Sequence, residues 1–330
     1  MKAQDILSVN NLTIHFQNIE QVIRAVNNLS FSVRKGETLG IVGESGCGKS
    51  VTSLAIMRLL ASNARMVDGT IEFQGTDLVS LNKKQMRAIR GNQISMIFQE
   101  PMTSLNPVFT VGRQIAESIV MHQNKTYKQA LHEARELLEL VQVSDPDKRL
   151  NNYPHELSGG MRQRVMIAIA LACKPRLLIA DEPTTALDVT IQAQILHILK
   201  DIQQQLGTAI VLITHDLGVV AEACDHVLVM YAGSKVEEGR VADVLYRAQH
   251  PYTQALIRSL PSFADADSAE TRLAELPGIV PTMTPASEGC AFASRCMHAI
   301  ADCKTSALPI AIPVHSNHVY WCRADVHTGA

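Results

Sequence analysis

A glycine-rich segment is the strongest chemical feature of this 330-residue sequence. Residues 43–50 read Gly-Glu-Ser-Gly-Cys-Gly-Lys-Ser and fit the pattern G-x-x-x-x-G-K-[ST]. Glycines let backbone N–H groups surround phosphate oxygens, and a helix that begins at this point directs its positive end at the same anion. We expect Lys49 to contact the β- and γ-phosphates of a nucleotide and the Ser50 hydroxyl to bind Mg²⁺.

Two carboxylates follow a strand-like run later in the chain. Residues 177–180 are Leu-Leu-Ile-Ala, and Asp181 and Glu182 come directly after them. A metal-bound nucleotide needs a second anchor for the metal, and an Asp at the end of a strand supplies it. Side chains alternate across a strand, so Glu182 is expected to face the other way. We therefore expect Asp181 to bind Mg²⁺ and Glu182 to polarise the water that attacks the γ-phosphate.

Strand-like and helical patterns alternate along the chain and must position these residues. Short β-rich runs in the first 35 residues or so predict antiparallel strands. Later strand-like runs lie at residues 38–42, 177–180, 209–214 and 226–231. Helical patterns separate them, and residues from about 82 to 150 carry apolar residues mostly at helical spacing. The pattern predicts an α/β fold with a mainly parallel sheet that is covered on both faces.

The charge balance excludes one class of partner. The chain has 30 Lys and Arg against 32 Asp and Glu, for a net charge of −2. A protein that binds nucleic acid without sequence preference needs a strong basic excess, so no nucleic-acid partner is expected. Hydrophobic residues make up 46%, which indicates a globular protein.

The apolar segments are short. A spanning helix needs about 20 predominantly apolar residues, whereas the uncharged apolar run at residues 165–173 is bounded by Arg164 and Lys174. The first residues form no apolar core of a signal peptide. We therefore expect a cytosolic chain without a membrane span.

A Ser-Gly-Gly sequence at residues 158–160 predicts a second anion-binding element. Its Ser suits a helix N-cap, and the start of a helix attracts negative charge. Together with the glycine-rich segment and the two carboxylates, it resembles the signature of ATP-binding cassette (ABC) ATPases. Met161 stands where that signature usually has Gln.

Other marks of the ABC ATPases are present in the expected order. Gln99 resembles the Q-loop glutamine, residues 186–188 resemble the D-loop, and His215 resembles the switch histidine. Phe16 lies where the family places an aromatic residue that stacks on adenine. The resemblance covers roughly residues 5–250.

The resemblance implies a fold and a domain organisation. The fold is that of an ABC-type P-loop ATPase, with a RecA-like core around a mainly parallel sheet, an antiparallel β subdomain and a helical subdomain. The implied nucleotide-binding domain spans residues 1–250, with the helical insert at about 93–160. Residues 251–330 are implied to form a small C-terminal extension that contains cysteines.

The resemblance also implies a mechanism in which two subunits pair head to tail, with ATP at each interface. The residues implied to bind ATP within one subunit are Phe16, Gly43, Glu44, Ser45, Gly46, Cys47, Gly48, Lys49, Ser50, Val51, Gln99 and His215. Those implied to contact the ATP of the partner are Ser158, Gly159, Gly160 and Asp188. The implied Mg²⁺ ligands are Ser50, Gln99 and Asp181. Hydrolysis is assigned to Glu182, His215 and Lys49.

Three further segments are similar to one branch of the family. Residues 101–107, 250–256 and 276–281 resemble segments of the ATP-binding subunits of bacterial dipeptide/oligopeptide importers, whose relatives also handle nickel or glutathione. The implied function is ATP hydrolysis that drives peptide uptake. The same motor for nickel or glutathione is the alternative. A soluble ABC ATPase acting on nucleic acid or the ribosome is disfavoured, because it would need a second cassette, a long coiled coil or a basic surface, and the sequence shows none of these.

The same branch implies partners and a location. The partners are a homologous ABC ATPase subunit, in a heterodimer or a homodimer, and two transmembrane permease subunits. An extracytoplasmic peptide-binding protein acts indirectly through the permease. The implied location is the cytoplasmic face of the bacterial inner membrane, as a peripheral subunit.

Four of the seven cysteines crowd the end of the chain, at Cys290, Cys296, Cys303 and Cys322. By number, four thiolates suit a [4Fe–4S] cluster or a tetrahedral Zn²⁺ equally, and free thiols are the third possibility. No C-x2-C pair is present, which weakens the zinc interpretation. Similar tails in related importer subunits are associated with a [4Fe–4S] cluster. We therefore expect these four residues to hold such a cluster and to stabilise the tail.

Overall fold

The computed structural model describes residues 5–99, 104–185, 187–259, 276, 278–305, 309–315 and 317–323. The strands of this part are β1 (Asp5–Gln17), β2 (Val22–Arg34), β3 (Thr38–Val42), β4 (Ala64–Phe73), β5 (Thr76–Asp77), β6 (Ile94–Ile97), β7 (Leu177–Asp181), β8 (Ala209–Thr214), β9 (His226–Tyr231), β10 (Ser234–Arg240), β11 (Ile310–His315) and β12 (His318–Cys322). The helices are α1 (Lys49–Ile56), α2 (Lys83–Ile89), α3 (Val111–Gln123), α4 (Tyr127–Leu140), α5 (Pro146–Arg149), α6 (Gly159–Leu171), α7 (Val189–Leu206), α8 (Leu217–Ala223), α9 (Val241–Tyr246), α10 (Pro251–Arg258) and α11 (Asp302–Thr305).

The chain forms two compact units, each built from several segments. Unit 1 comprises the residues up to Ile6, Val33–Thr38 and Ser80–Ile213. Unit 2 comprises Leu7–Ser32, Leu39–Val79 and the residues from Thr214 onward.

Unit 1 contains three adjacent parallel strands in the order β6, β7, β8. Ile94 pairs with Leu177, and Leu177 pairs with Ala209. Every residue of β7 and β8 is buried, which explains why both read as continuous apolar runs rather than as alternating patterns. The predicted parallel arrangement is confirmed for β7 and β8, whereas β6 was not predicted as a strand.

The helices of unit 1 follow from apolar spacing and caps. Helix α4 begins after Thr126, which forms a capping box with Gln129, and its buried residues Ala130, Ala134 and Leu137 lie on one face. The Arg164 side chain of α6 donates to the carbonyl oxygen of Val141 at 2.7 Å. This bond ties α6 to the end of α4.

Unit 2 contains an antiparallel sheet with the strand order β2, β1, β4, β5 and a second set of strands in the order β3, β9, β10, β12, β11. Strand β3 runs parallel to β9, with Gly40 opposite Val227. Strand β10 pairs in antiparallel fashion with β9 on one side and with β12 on the other. Tyr231, Tyr252 and Phe292 pack edge to face in the core of this unit.

Within unit 2, one buried carboxylate contacts the C-terminal residues. Glu237 of β10 is fully buried and accepts hydrogen bonds from the backbone N–H groups of Gln249 and His250 at 2.8 and 3.0 Å. Its Oε1 also lies 2.7 Å from Nε2 of His318, which is buried on β12. The segment after residue 250 is therefore held by polar contacts and by strand pairing.

None of the helices in the described part of the chain has the length and apolar character needed to cross a membrane.

Candidate nucleotide site

The glycine-rich segment forms the loop between β3 and α1 in unit 2. We call residues 43–50 the phosphate loop. Its glycines are required by close packing: a Cβ on Gly48, whose φ is +97°, would lie 2.5 Å from the carbonyl oxygen of Ala25. A Cβ on Gly43 would clash with the carbonyl oxygen of Met230. Only glycine fits at these two positions.

Lys49 is held inside the loop. Its side chain is buried, and Nζ donates to the carbonyl oxygens of Gly43 at 2.7 Å and Glu44 at 3.1 Å. The ammonium group therefore lies at the start of α1, within the loop that the glycines shape. This is a ready-made cationic site for a phosphate group.

Cys47 is a buried residue of the same loop. Burial raises the pKa of its thiol, although the nearby Lys49 acts in the opposite direction. A thiol with a raised pKa stays protonated at neutral pH and is a poor nucleophile. Cys47 is thus a small packing residue of the loop.

In unit 1, the predicted base and the predicted Q-loop residue are in contact. Asp181 is buried at the end of β7, and Glu182 follows with a φ of +47°, in the left-handed region. The Glu182 carboxylate accepts a hydrogen bond from Gln99 Nε2 at 3.1 Å and another from Thr185 Oγ1 at 2.9 Å. Thr185 was not singled out from the sequence. The two donors fix the orientation of the carboxylate.

The predicted signature and D-loop residues share a cavity of about 510 Å³ in unit 1. Ser158 caps α6 by accepting from the Met161 N–H at 3.3 Å, and Asp188 caps α7 by accepting from the Ile191 N–H at 2.9 Å. Ser158 and Gly159 are exposed, and a Cβ on Gly159 would meet no atom within 4 Å. The cavity therefore presents the N-terminal end of a helix, to which anions bind.

The other predicted ATP-binding residues lie at the ends of strands or in the first turn of a helix. His215 is exposed and comes directly after β8, and Phe16 is half-buried near the end of β1, opposite Ala64. Ser50 and Val51 are half-buried in the first turn of α1. Within the segments that resemble the family, the residues outside the described part are Pro101, Met102, Thr103, Ala186 and Pro277.

Two family models match the chain. Residues 26–185 match the ABC transporter model, and residues 236–303 match the model of the oligopeptide/dipeptide transporter C-terminal region. The chain is 54% identical over 322 residues to a probable peptide ABC transporter ATP-binding protein, y4tR, of Sinorhizobium fredii, covering 97% of this chain and 95% of that protein. It is 51% identical over 299 residues to the dipeptide transport ATP-binding protein DppD of Escherichia coli, covering 91% and 90%.

The chain belongs to the ABC transporter ATP-binding proteins.

A solved structure agrees with this assignment. The dimeric ATP-binding cassette MJ0796, in a post-hydrolysis state bound to ADP and phosphate, superposes with a TM-score of 0.65 at 26% identity. The match covers 71% of this chain and 98% of that one. The predicted ABC ATPase fold and ATP-hydrolysing activity are confirmed. None of the relatives named here favours the nickel or glutathione alternative.

In this ABC protein, residues of the oligopeptide/dipeptide C-terminal region contact the phosphate loop. Tyr252 of α10 is fully buried, and its hydroxyl oxygen accepts from the Glu44 N–H at 2.9 Å. Arg295 donates to both oxygens of the Glu44 carboxylate, at 3.1 and 2.9 Å. In the sequence, residues 250–256 indicate only the branch of the family, and these contacts with Glu44 were not predicted.

The expectation of a [4Fe–4S] cluster, or of Zn²⁺, at Cys290, Cys296, Cys303 and Cys322 is wrong. Across the described residues, which include all four cysteines, no group of three or more His, Cys, Asp or Glu side chains is arranged to hold a metal ion. All seven cysteines are free thiols.

The predicted metal site is absent from the described residues because thiols of this group pack against apolar side chains. Cys290 and Cys296 pack against the apolar core that contains Phe292, and Cys322 packs with Tyr320. Burial raises the pKa of the Cys290 thiol to about 11 and also raises that of Cys296. Apolar packing and the pairing of β12 with β10 stabilise the tail instead of a metal.

His250 makes the stability of this ABC protein depend on pH. The imidazole is buried, its Nδ1 accepts from the Tyr252 N–H at 3.1 Å, and burial lowers its pKa from 6.5 to about 3. Between these two values the unfolded chain binds a proton that the folded chain does not, so the stability contribution is complete above pH 6.5 and is lost as the pH falls.

We expect wild-type protein to lose about 1.4 kcal/mol of unfolding free energy through His250 between pH 7.5 and pH 5.5. The His250→Asn variant keeps a side-chain acceptor for the Tyr252 N–H but does not titrate, so its loss over the same range should be smaller by that amount. Urea unfolding of both proteins at both pH values measures the difference. Equal losses in the two proteins would contradict the assignment.

Proposed function

We propose that this chain is the ATP-hydrolysing subunit of a bacterial ABC importer that takes up dipeptides or oligopeptides. The match of residues 236–303 to the oligopeptide/dipeptide transporter C-terminal region carries the proposal. Relatives that are about half identical along most of the chain carry peptide or dipeptide transport in their names, which supports the same substrate class.

In this proposal ATP binds to the phosphate loop. Lys49 contacts the β- and γ-phosphates, and the other loop residues, with Val51, surround them through the backbone. Nζ of Lys49 now donates to two loop carbonyl oxygens, and it exchanges these partners for phosphate oxygens when ATP binds. An ionised phosphate is the stronger acceptor, so this exchange favours binding. Phe16 stacks on the adenine ring.

Glu182 acts as the general base. Gln99 and Thr185 donate to its carboxylate, which orients it to accept a proton from the attacking water. His215 contacts the γ-phosphate. The charge that develops on the transferred phosphoryl group is stabilised by Lys49 and by the positive end of α1.

Mg²⁺ fits the donor set that the sequence assigns to it. The Ser50 hydroxyl, the Gln99 carboxamide and the Asp181 carboxylate offer oxygen atoms, which this hard cation prefers. The Gln99 amide nitrogen is used toward Glu182, so its oxygen is the atom available to a cation. When bound, Mg²⁺ supplies charge neutralisation on the phosphate oxygens.

A second cassette completes the site. Ser158, Gly159, Gly160 and Asp188 line an open cavity at a helix start, which suits contact with the γ-phosphate of ATP bound to a partner. The partner is a homologous subunit in a heterodimer, or a second copy of this chain. Two transmembrane permease subunits dock on the pair, at the cytoplasmic face of the inner membrane. An extracytoplasmic peptide-binding protein delivers the substrate to them.

Uptake measurements test the substrate class. In a strain that lacks this chain, we expect uptake of a radiolabelled dipeptide to fall to background, and to return with the wild-type chain but not with Glu182→Gln. Glu133→Gln, which alters a carboxylate paired with Lys125, should restore uptake and serves as the matched control. Normal peptide uptake, with loss of nickel or glutathione uptake instead, would refute the peptide assignment.

A further inference from the structure

Two residues of the C-terminal region, Tyr252 and Arg295, form hydrogen bonds with Glu44 of the phosphate loop. We propose that Arg295 and Tyr252 are positioning residues for ATP binding: Arg295 neutralises the Glu44 carboxylate, and Tyr252 fixes the Glu44 backbone. The inference rests on the proposed function of residues 43–50 as the ATP site.

The Arg295 side chain is buried and held by several partners. Its side chain is 5% exposed, against 28% for that of Glu44. Besides the two bonds to the carboxylate, Nη1 donates to the Tyr231 hydroxyl at 3.2 Å and Nη2 donates to the Leu276 carbonyl oxygen at 3.2 Å. A guanidinium held by four bonds in a buried setting loses little freedom on pairing, so the ion pair with Glu44 persists.

Tyr252 fixes the other part of Glu44. Its ring packs edge to face on Tyr231, with ring centroids 4.7 Å apart, and on Phe292, with centroids 5.4 Å apart. Burial raises the pKa of its hydroxyl, so the group stays neutral and accepts the Glu44 N–H. The amide of Glu44 is thereby directed at Tyr252, and the carbonyl oxygens of Gly43 and Glu44 remain on Lys49.

The charge of Glu44 gives this arrangement its consequence. A carboxylate in the second position of the phosphate loop repels a triphosphate unless a cation compensates it. Arg295 supplies that cation from a residue 251 positions away in the sequence. Glu44 therefore anchors the loop to Arg295 and Tyr252, and the ion pair with Arg295 prevents its negative charge from weakening ATP binding.

The first test separates the charge effect from a loss of packing. Arg295→Met removes the cation and should raise the KM for ATP about tenfold, with kcat within about twofold of wild type, since the carboxylate opposes binding rather than hydrolysis. The double variant Glu44→Gln/Arg295→Met removes both charges and should return KM to within about threefold of wild type. High salt should also reduce the defect of the single variant.

The matched control is Arg135→Met. Arg135 pairs with Glu139 and Asp147 on the helical segment of unit 1, so the same substitution removes an ion pair without changing the phosphate loop. Its KM should equal that of wild type.

If the double variant is as impaired as Arg295→Met, the role of Arg295 is structural and the inference is overturned.

Tyr252→Phe tests the second residue. The substitution keeps the ring and its packing but removes the acceptor of the Glu44 N–H, so KM should rise about threefold at unchanged kcat. An unchanged KM would remove Tyr252 from the proposal. Lys49→Ala in the same assay distinguishes a failure of the proposed ATP site from a failure of the positioning roles. If Lys49→Ala binds ATP normally, the ATP site itself is wrongly assigned. If it loses ATP while Arg295→Met keeps a wild-type KM, only this inference fails.

Discussion

Replacing Glu182 with Gln is expected to lower the kcat of ATP hydrolysis by at least about 100-fold, the effect typical of a lost general base. The Kd for ATP should stay within about threefold of wild type. The two results together define the residue as a base, because a residue that merely binds ATP would change Kd instead.

The geometry around Glu182 explains this expectation. Gln99 and Thr185 both donate to the carboxylate, so its position does not depend on the bound water. A glutamine is nearly the same size and keeps one oxygen acceptor, so the local packing is retained. Its amide cannot accept a proton at neutral pH, and the attacking water then loses its base.

Single-turnover hydrolysis and equilibrium binding of a fluorescent ATP analogue measure the two quantities. Glu133→Gln is again the control, since the Glu133 carboxylate is half-exposed and engages only Lys125 among the ion pairs found in the described chain. Retained turnover in Glu182→Gln would show that another group takes the proton.

The parts of the structure that depend on local sequence could be predicted. The all-apolar runs of β7 and β8 indicated buried parallel strands, and both are buried throughout. The glycines of the phosphate loop indicated a close turn, and Gly43 and Gly48 lie against neighbouring backbone. In each case a few adjacent residues determine the backbone geometry. A short strand was missed: β6, of four residues, lies within the stretch that was predicted mostly helical.

The contacts that depend on distant residues could not be predicted. Glu44 and Arg295 are 251 positions apart, and each alone is an ordinary charged residue of a loop. The prediction of a metal site at the four C-terminal cysteines was wrong for a related reason. Four thiols close in sequence suggested a metal site, but the number of ligands does not give their directions. Once Cys290 and Cys296 pack against Phe292, apolar burial accounts for them.

Lys49→Ala is expected to weaken ATP binding by at least about 100-fold, because removing one partner of a buried charged pair costs about 3 kcal/mol or more. Hydrolysis should fall to background at cellular concentrations of ATP. This result contrasts with that of Glu182→Gln, which keeps the binding and loses the reaction.

The structure offers a close control for the lysine. Lys235 lies in the same unit, is almost as buried, and donates to the Ser30 carbonyl oxygen and the Glu238 carboxylate at 2.6 Å each. Lys235→Ala removes a comparable buried ammonium, so it controls for general destabilisation. Calorimetric titration with ATP should give a Kd within about threefold of wild type for Lys235→Ala and no measurable binding for Lys49→Ala. Equal affinities in the two variants would mean that the phosphates bind elsewhere, because the Lys49 ammonium is the one positioned by the loop carbonyl oxygens of Gly43 and Glu44.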